Sequence, residues 1–146
     1  MVEDVAPERL NKSLETLHFA FRGLVAEPDT ILRDNGLSRI HHRLLFFIST
    51  YDELSVNELV ETMRLTKQAI HKPLKTLVER ELVSVRRDPS DKRIKRLSLT
   101  DQGQKLENGL TGIQHDLMEE AFQSVGPEGT DAWFKVMNTL AKRLGV

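Results

Sequence analysis

Apolar residues recur every three or four positions along most of this chain and alternate in only one region, which confines β-structure to a single short hairpin. Val83 and Val85 alternate with polar neighbours, and Lys95, Leu97 and Leu99 alternate with Ile94, Arg96 and Ser98. A period of two marks a half-buried strand. Between the two runs stands Arg87-Asp88-Pro89-Ser90-Asp91-Lys92. Its Asp, Ser and Pro residues favour a turn, because short polar side chains bond nearby amides and proline presets φ. Residues 83–99 therefore read as a two-stranded hairpin with a charged tip.

The helical segments have their own punctuation. Leu10, Leu14, Leu17, Phe21 and Leu24 form a narrow stripe on a helix expected over about residues 8–26, after which Pro28 and Asn35-Gly36 should break the chain. A second helix, about 38–50, carries Ile40, Leu44, Leu45, Phe47 and Ile48 on more than one face, so it belongs at the centre of the core. Ser55 and Glu58 have capping-box spacing and open a short helix bearing Leu59, Val60 and Met63. A turn at Arg64-Leu65 leads to Thr66, an N-cap for a helix over about 67–80. Two helices joined by so short a turn have helix-turn-helix spacing. Beyond the hairpin, two more helices are expected at 101–124 and 128–144, separated by Gly126-Pro127.

The fold class is thus mainly α with a small β-hairpin: a winged helix-turn-helix with N- and C-terminal helices left to pair. One domain spans 1–146. Within it, 38–99 would form a binding lobe whose wing is 83–99, while 8–26 and 101–144 carry apolar stripes suited to dimerisation.

Charge is segregated along the chain. The net charge is −1, yet residues 64–96 hold eleven Lys/Arg against four Asp/Glu. A basic block in an acidic body suits neutralisation of phosphates at one surface. A charge run alone is better explained as a solvated face; its arrangement is more telling. Thr66 and Lys67 open the helix at 67–80, and Gln68, His71, Lys72 and Lys75 form one polar stripe opposite Ile70, Leu74, Leu77 and Val78. Such side chains hydrogen-bond base edges and phosphates from a helix in the major groove. The ribbon adds Arg86, Arg87, Lys92, Arg93, Lys95 and Arg96, more cations than solubility alone asks of it. An arginine at its tip can enter a narrow minor groove, where the potential is most negative.

Other classes find little support. There is no cysteine, so thiolate metal sites and disulfides are excluded. No His-Glu-x-x-His pattern or glycine-rich phosphate loop occurs, and no enzymatic activity, cofactor or metal is expected. Adjacent His41 and His42 diverge by about 100° on a helix and do not readily clamp one ion, and a metal site built on either of them with His18 or His115 and acids is a minor alternative. No apolar run approaches a membrane span, and the acidic N-terminus lacks an apolar signal segment, so the cytoplasm is the expected compartment.

The stretch Asp91-Lys92-Arg93-Ile94-Lys95-Arg96-Leu97-Ser98-Leu99-Thr100-Asp101-Gln102-Gly103 resembles the wing signature of the multiple-antibiotic-resistance-regulator (MarR) family of bacterial transcription factors. The order of elements is similar over nearly the whole chain. The resemblance implies a minor-groove role for Arg93, with Asp91 holding it or a recognition-helix cation in place. It also implies dimerisation through the terminal helices and a small aromatic or anionic effector bound between those helices and the DNA lobe. Phe19, Arg22, His41, His42 and Phe46 are candidates to line that pocket, though polar residues capping or lining a helix explain the histidines as simply. Two residues depart from the family pattern. Pro73 stands inside the recognition helix, and Glu81 occupies the place of a helix-ending glycine.

The function expected is a dimeric, sequence-specific regulator of transcription on a pseudo-palindromic operator in double-stranded DNA, more often a repressor, released by an effector. The competing reading is a winged-helix interaction module whose basic ribbon docks an acidic protein.

Overall fold

Pro7 begins helix α1, Pro7–Asp34, in the first turn, where its missing amide costs no hydrogen bond. In this computed structural model residues 4–146 are described; the first three residues of the acidic N-terminal stretch lie outside them. α1 does not stop near residue 26, and Pro28 does not break it. A proline leaves the carbonyl four residues earlier without its helical partner. Here that carbonyl, on Leu24, is reached by Gln114 Nε2 at 3.4 Å, and Pro28 itself is fully buried. The helix instead ends at Asn35-Gly36, where Gly36 turns left-handed and the Leu37 amide returns to the Leu32 carbonyl.

Helix α2, Arg39–Thr50, starts after Ser38 and is central as expected, with Leu44 and Leu45 fully buried. It packs against α1 and among the later elements. These are α3, Val56–Met63; α4, Lys67–Glu79; β1, Val83–Arg87; β2, Lys95–Leu99; and the first part of α5, Asp101–Ala141. A short 3-10 turn, Lys142–Leu144, follows.

The expected caps are in place. Ser55 Oγ accepts the Glu58 amide at 3.1 Å while Glu58 Oε2 accepts the Ser55 amide at 3.3 Å. Thr66 Oγ1 accepts the Ala69 amide at 3.1 Å. Arg64, in the turn between α3 and α4, is left-handed at φ 54°. α4 runs through Pro73 without interruption. The carbonyl orphaned by Pro73 is that of Ala69, an exposed residue, so water can serve it. Glu81 adopts the left-handed conformation that a glycine would take more cheaply, φ 56°, and the Leu82 amide closes on the Leu77 carbonyl at 2.9 Å.

The hairpin pairs Val83 with Leu99, Val85 with Leu97 and Arg87 with Lys95. Asp88 nucleates its turn by accepting the amides of Ser90 and Asp91 at 2.8 and 3.1 Å. α5 comprises the two expected C-terminal helices, joined at a kink at Gly126, whose backbone is non-helical with φ 72°. Near its start, Gly103 lies so close to Leu82 that a Cβ would fall 1.9 Å from the Leu82 carbonyl oxygen. That close approach locks α5 onto the end of α4.

The core runs from Leu32 to Leu110 through Leu44, Leu59, Leu77 and Leu97. Outside it, Leu10, Leu14, Leu17 and Phe21 on α1 are exposed, as are Leu117, Val125, Trp133, Phe134, Val136 and Leu140 on α5. The terminal helices thus carry large apolar side chains that their own chain does not cover.

Candidate nucleic-acid interface

α4 is amphipathic, and its burial decides which side can meet a ligand. Ile70, Leu74 and Leu77 are buried, while Lys67, Gln68, His71, Lys72 and Lys75 are exposed. Lys75 Nζ lies 3.8 Å from Glu79 Oε1, with both side chains mostly in solvent. So loose a pair leaves Lys75 free to exchange partners. Thr66 spends its hydroxyl on the cap.

The ribbon cations divide into two groups. Arg93 is held in a fork by Asp91, Nε to Oδ1 and Nη2 to Oδ2 both at 3.0 Å, yet its side chain is 90% exposed. The Arg93 amide also donates to Asp91 Oδ1, and these bonds, the side-chain one foremost, hold the Asp91 carboxyl below its usual range. A guanidinium so oriented is presented to solvent in one geometry. Arg87 Nη1 donates to the Lys92 carbonyl at 2.9 Å, keeping its charge unneutralised at the tip. Lys92 and Lys95 are exposed, with no carboxylate within salt-bridge range among the described residues. Arg86 and Arg96 belong to the second group. Arg86 pairs with Glu53, and Arg96 reaches Asp88 and Glu58 at 3.0 Å each. Counting all six as equivalent DNA-facing charges overstates the free charge of the ribbon.

A cleft of about 830 Å³ separates α4 from the hairpin, and its walls include Lys67, His71 and Lys75 from α4 and Arg93 and Lys95 from the ribbon. Helix stripe and wing arginine therefore face a common space. Gln68 and Lys72 continue the exposed side of α4, and Arg87 and Lys92 lie at the hairpin tip, away from the cleft walls.

The five residues considered for an effector pocket do not converge. Phe19 and Arg22 are exposed on α1, and Phe46 is partly exposed with its ring edge-on to Phe47. His41 Nδ1 accepts the Ser38 amide at 3.0 Å, so it caps α2. Burial lowers its pKa first and the Arg80 charge second. His42 is buried, with Nε2 3.1 Å from Thr111 Oγ1, and that hydroxyl lies 2.5 Å from Glu107 Oε1. Thr111 has one proton and gives it to Glu107, so His42 Nε2 must be the donor to Thr111. Burial, foremost, holds the His42 pKa below the usual histidine value.

Several polar contacts escape a reading of the sequence alone. Glu107 and Thr111 stand four apart beside Leu106 and Leu110, a polar interruption of an apolar face and the one available clue to their buried bond. Gln104 extends the network from Glu107 to Ser49 on α2. Arg39 forks onto Asp29 at 2.7 and 3.4 Å and also covers the Phe21 ring. Among the described residues no cluster of three or more His, Asp or Glu side chains could hold a metal ion, and no helix is long and apolar enough to cross a membrane.

A helix-turn-helix followed by a ribbon on one face defines the winged-helix class of DNA-binding protein. Residues 35–94 match the MarR family model. The chain is 35% identical over 133 residues to the HTH-type transcriptional regulator PetP of Rhodobacter capsulatus, an alignment covering 91% of this chain and 80% of that protein. The fold is similar to Streptococcus pneumoniae FabT, solved in complex with DNA: TM-score 0.79, 16% identity, 96% of this chain and 98% of that one. It is also similar to Staphylococcus aureus MarR in complex with salicylate and kanamycin: TM-score 0.74, 20% identity, 94% and 93% covered. The chain belongs to the MarR family, and is a DNA-binding transcriptional regulator rather than an enzyme.

Proposed function

We propose that this chain acts as a homodimer that reads a pseudo-palindromic duplex. α4 of each copy enters successive major grooves about 10 bp apart, and Arg93 of each wing enters a flanking minor groove. The observation that carries this reading is the shared cleft, onto which Lys67, His71 and Lys75 open from α4 and Arg93 from the ribbon. Thr66 and Lys67 set the first turn of α4, Gln68 and His71 offer hydrogen bonds to base edges, and Lys72, Arg87 and Lys92 are placed for phosphates.

A second copy accounts for the apolar surface of α1 and α5. Leu14 is 67% exposed and Leu140 53%, and residues spaced three and four apart on such helices favour helix-to-helix pairing. Occupying a promoter in this way blocks polymerase, so the regulator is a repressor in the cytoplasm. Release belongs to a small aromatic or anionic effector bound where the terminal helices of the pair meet the DNA lobe, in a pocket that Phe19, Arg22, His41, His42 and Phe46 do not form within one chain. The salicylate complex of the Staphylococcus aureus relative supports that chemistry. Spreading the two lobes would spoil the half-site spacing.

Fluorescence anisotropy across a salt series tests the interface. Wild-type affinity should fall steeply with salt, and Lys75→Ala should flatten the log–log slope by about 0.9 if it neutralises one phosphate. Arg93→Ala should weaken binding at every salt concentration. Affinity independent of salt would contradict the interface, and binding of an acidic protein in place of any duplex would favour a docking module.

A further inference from the structure

Arg86 and Arg96 are direct partners across the hairpin ladder. Like charges placed opposite one another destabilise a sheet, so their presence needs an explanation. Three carboxylates supply it. Glu53 takes Arg86; Asp88 and Glu58 take Arg96. Neither arginine lines the cleft shared by α4 and the wing tip. The side chains of strand residues alternate between faces, which puts both on the face opposite Val85, Lys95 and Leu97.

The partners of Arg96 are themselves structural. Asp88 is the acceptor that forms the wing turn. Glu58 completes the capping box of α3. One planar guanidinium, 23% exposed, therefore joins the tip loop to the first turn of α3, with Nε on Asp88 and Nη1 on Glu58, each at 3.0 Å. Nη1 also lies 3.4 Å from the Glu53 carbonyl. The backbone follows the same path: Arg96 bridges to Ser55, and the Leu97 amide donates to the Leu54 carbonyl at 2.9 Å. Both carboxyls are held below their usual range, with Arg96 the first cause at each.

We propose that Arg96 is a positioning residue, a clasp that fixes the angle of the ribbon against α3 and so sets Arg93 on the same surface as α4. It contacts no DNA itself. The guanidinium fork is needed, since a lysine ammonium lacks the flat two-sided geometry that meets two carboxylates at once. This role rests on the DNA-binding reading above, and its test keeps the two apart.

The free protein is examined first, by amide hydrogen exchange. Arg96→Met should speed exchange across 86–96 and leave 67–79 unchanged; unaltered exchange at 86–96 overturns the clasp, whatever happens with DNA. Glu58→Gln, which keeps an acceptor for the α3 cap, should do the same to a smaller degree and stands in if Arg96→Met fails to fold. On a selected duplex, Arg93→Ala should cost about tenfold or more in the native background but under about threefold in the Arg96→Met background, whereas Lys75→Ala should cost the same in both. Arg96→Lys should not restore the Arg93 effect. Equal Arg93→Ala losses in both backgrounds, or rescue by Arg96→Lys, overturn the positioning role. A wild-type protein that binds no duplex overturns the interface itself, and the positioning role with it.

Discussion

Gly103 and His42 both sit at the contact between α5 and the lobe, and each is constrained in its own way. At Gly103 the constraint is space. A Cβ 1.9 Å from the Leu82 carbonyl oxygen cannot be absorbed by a side-chain rotation, because the obstacle is backbone. Gly103→Ala should therefore destabilise the fold by about 2 kcal/mol or more, the upper range of overpacking costs, in urea unfolding. A change within about 0.5 kcal/mol would show that α5 is free to shift. At His42 the constraint is solvation. Burial favours the neutral ring, so its folded-state pKa lies below the ordinary 6.5. The unfolded chain then takes up the proton first, and stability from this site is present above about pH 6.5 and is lost as pH falls through that value toward the folded one. Asp29, Glu58, Asp88 and Asp91 are also shifted down and respond only in the carboxylate range. Unfolding free energy should drop between pH 7.5 and 5.5, and His42→Gln should flatten that drop; His41, shifted the same way, keeps part of it. An unchanged pH profile in His42→Gln would contradict the assignment. Neither constraint shows in a list of residue types. The wing signature contains Gly103, but the reason for it is Leu82, twenty-one positions earlier and across the hairpin. Arg96 is likewise indistinguishable from Arg93 as a charge; its acids are Asp88 and the distant Glu58.

At the scale of elements, periodicity and caps were a sound guide where the chain itself supplies the partners. The hairpin register follows from alternation plus an Asp that bonds its own turn, and α3 and α4 begin at the capping residues read from the sequence. Proline was the misleading signal. Pro28 suggested an end to α1, yet the helix continues because Gln114, on another helix, serves the orphaned Leu24 carbonyl. No local pattern contains that information. Pro73 raised the same doubt about α4, which remains a single helix. Because its ring removes a bond to the Ala69 carbonyl, Pro73→Ala should raise stability by on the order of 1–3 kcal/mol in urea unfolding. A loss would mean that the proline ring, half-buried beside α4, contributes more by packing than it removes.

At the scale of the whole molecule, two regions differ in what they have left unsatisfied. The lobe from Leu32 to Leu110 buries most of its apolar side chains and presents cations; the outer parts of α1 and α5 expose theirs. A single chain leaves α4 and its wing with one groove to read and the terminal helices with nothing to cover them. The two-fold pairing proposed above would resolve both, and it makes a prediction about DNA that no monomer shares: the site must carry the symmetry of the pair. The most direct measurement is selection of bound sequences from a random duplex pool, followed by mass determination of the complex on the enriched site. The expected result is a two-fold symmetric motif with half-site centres about 10 bp apart, bound by two copies of the chain. An unenriched pool, or one asymmetric site holding a single copy, would contradict the account.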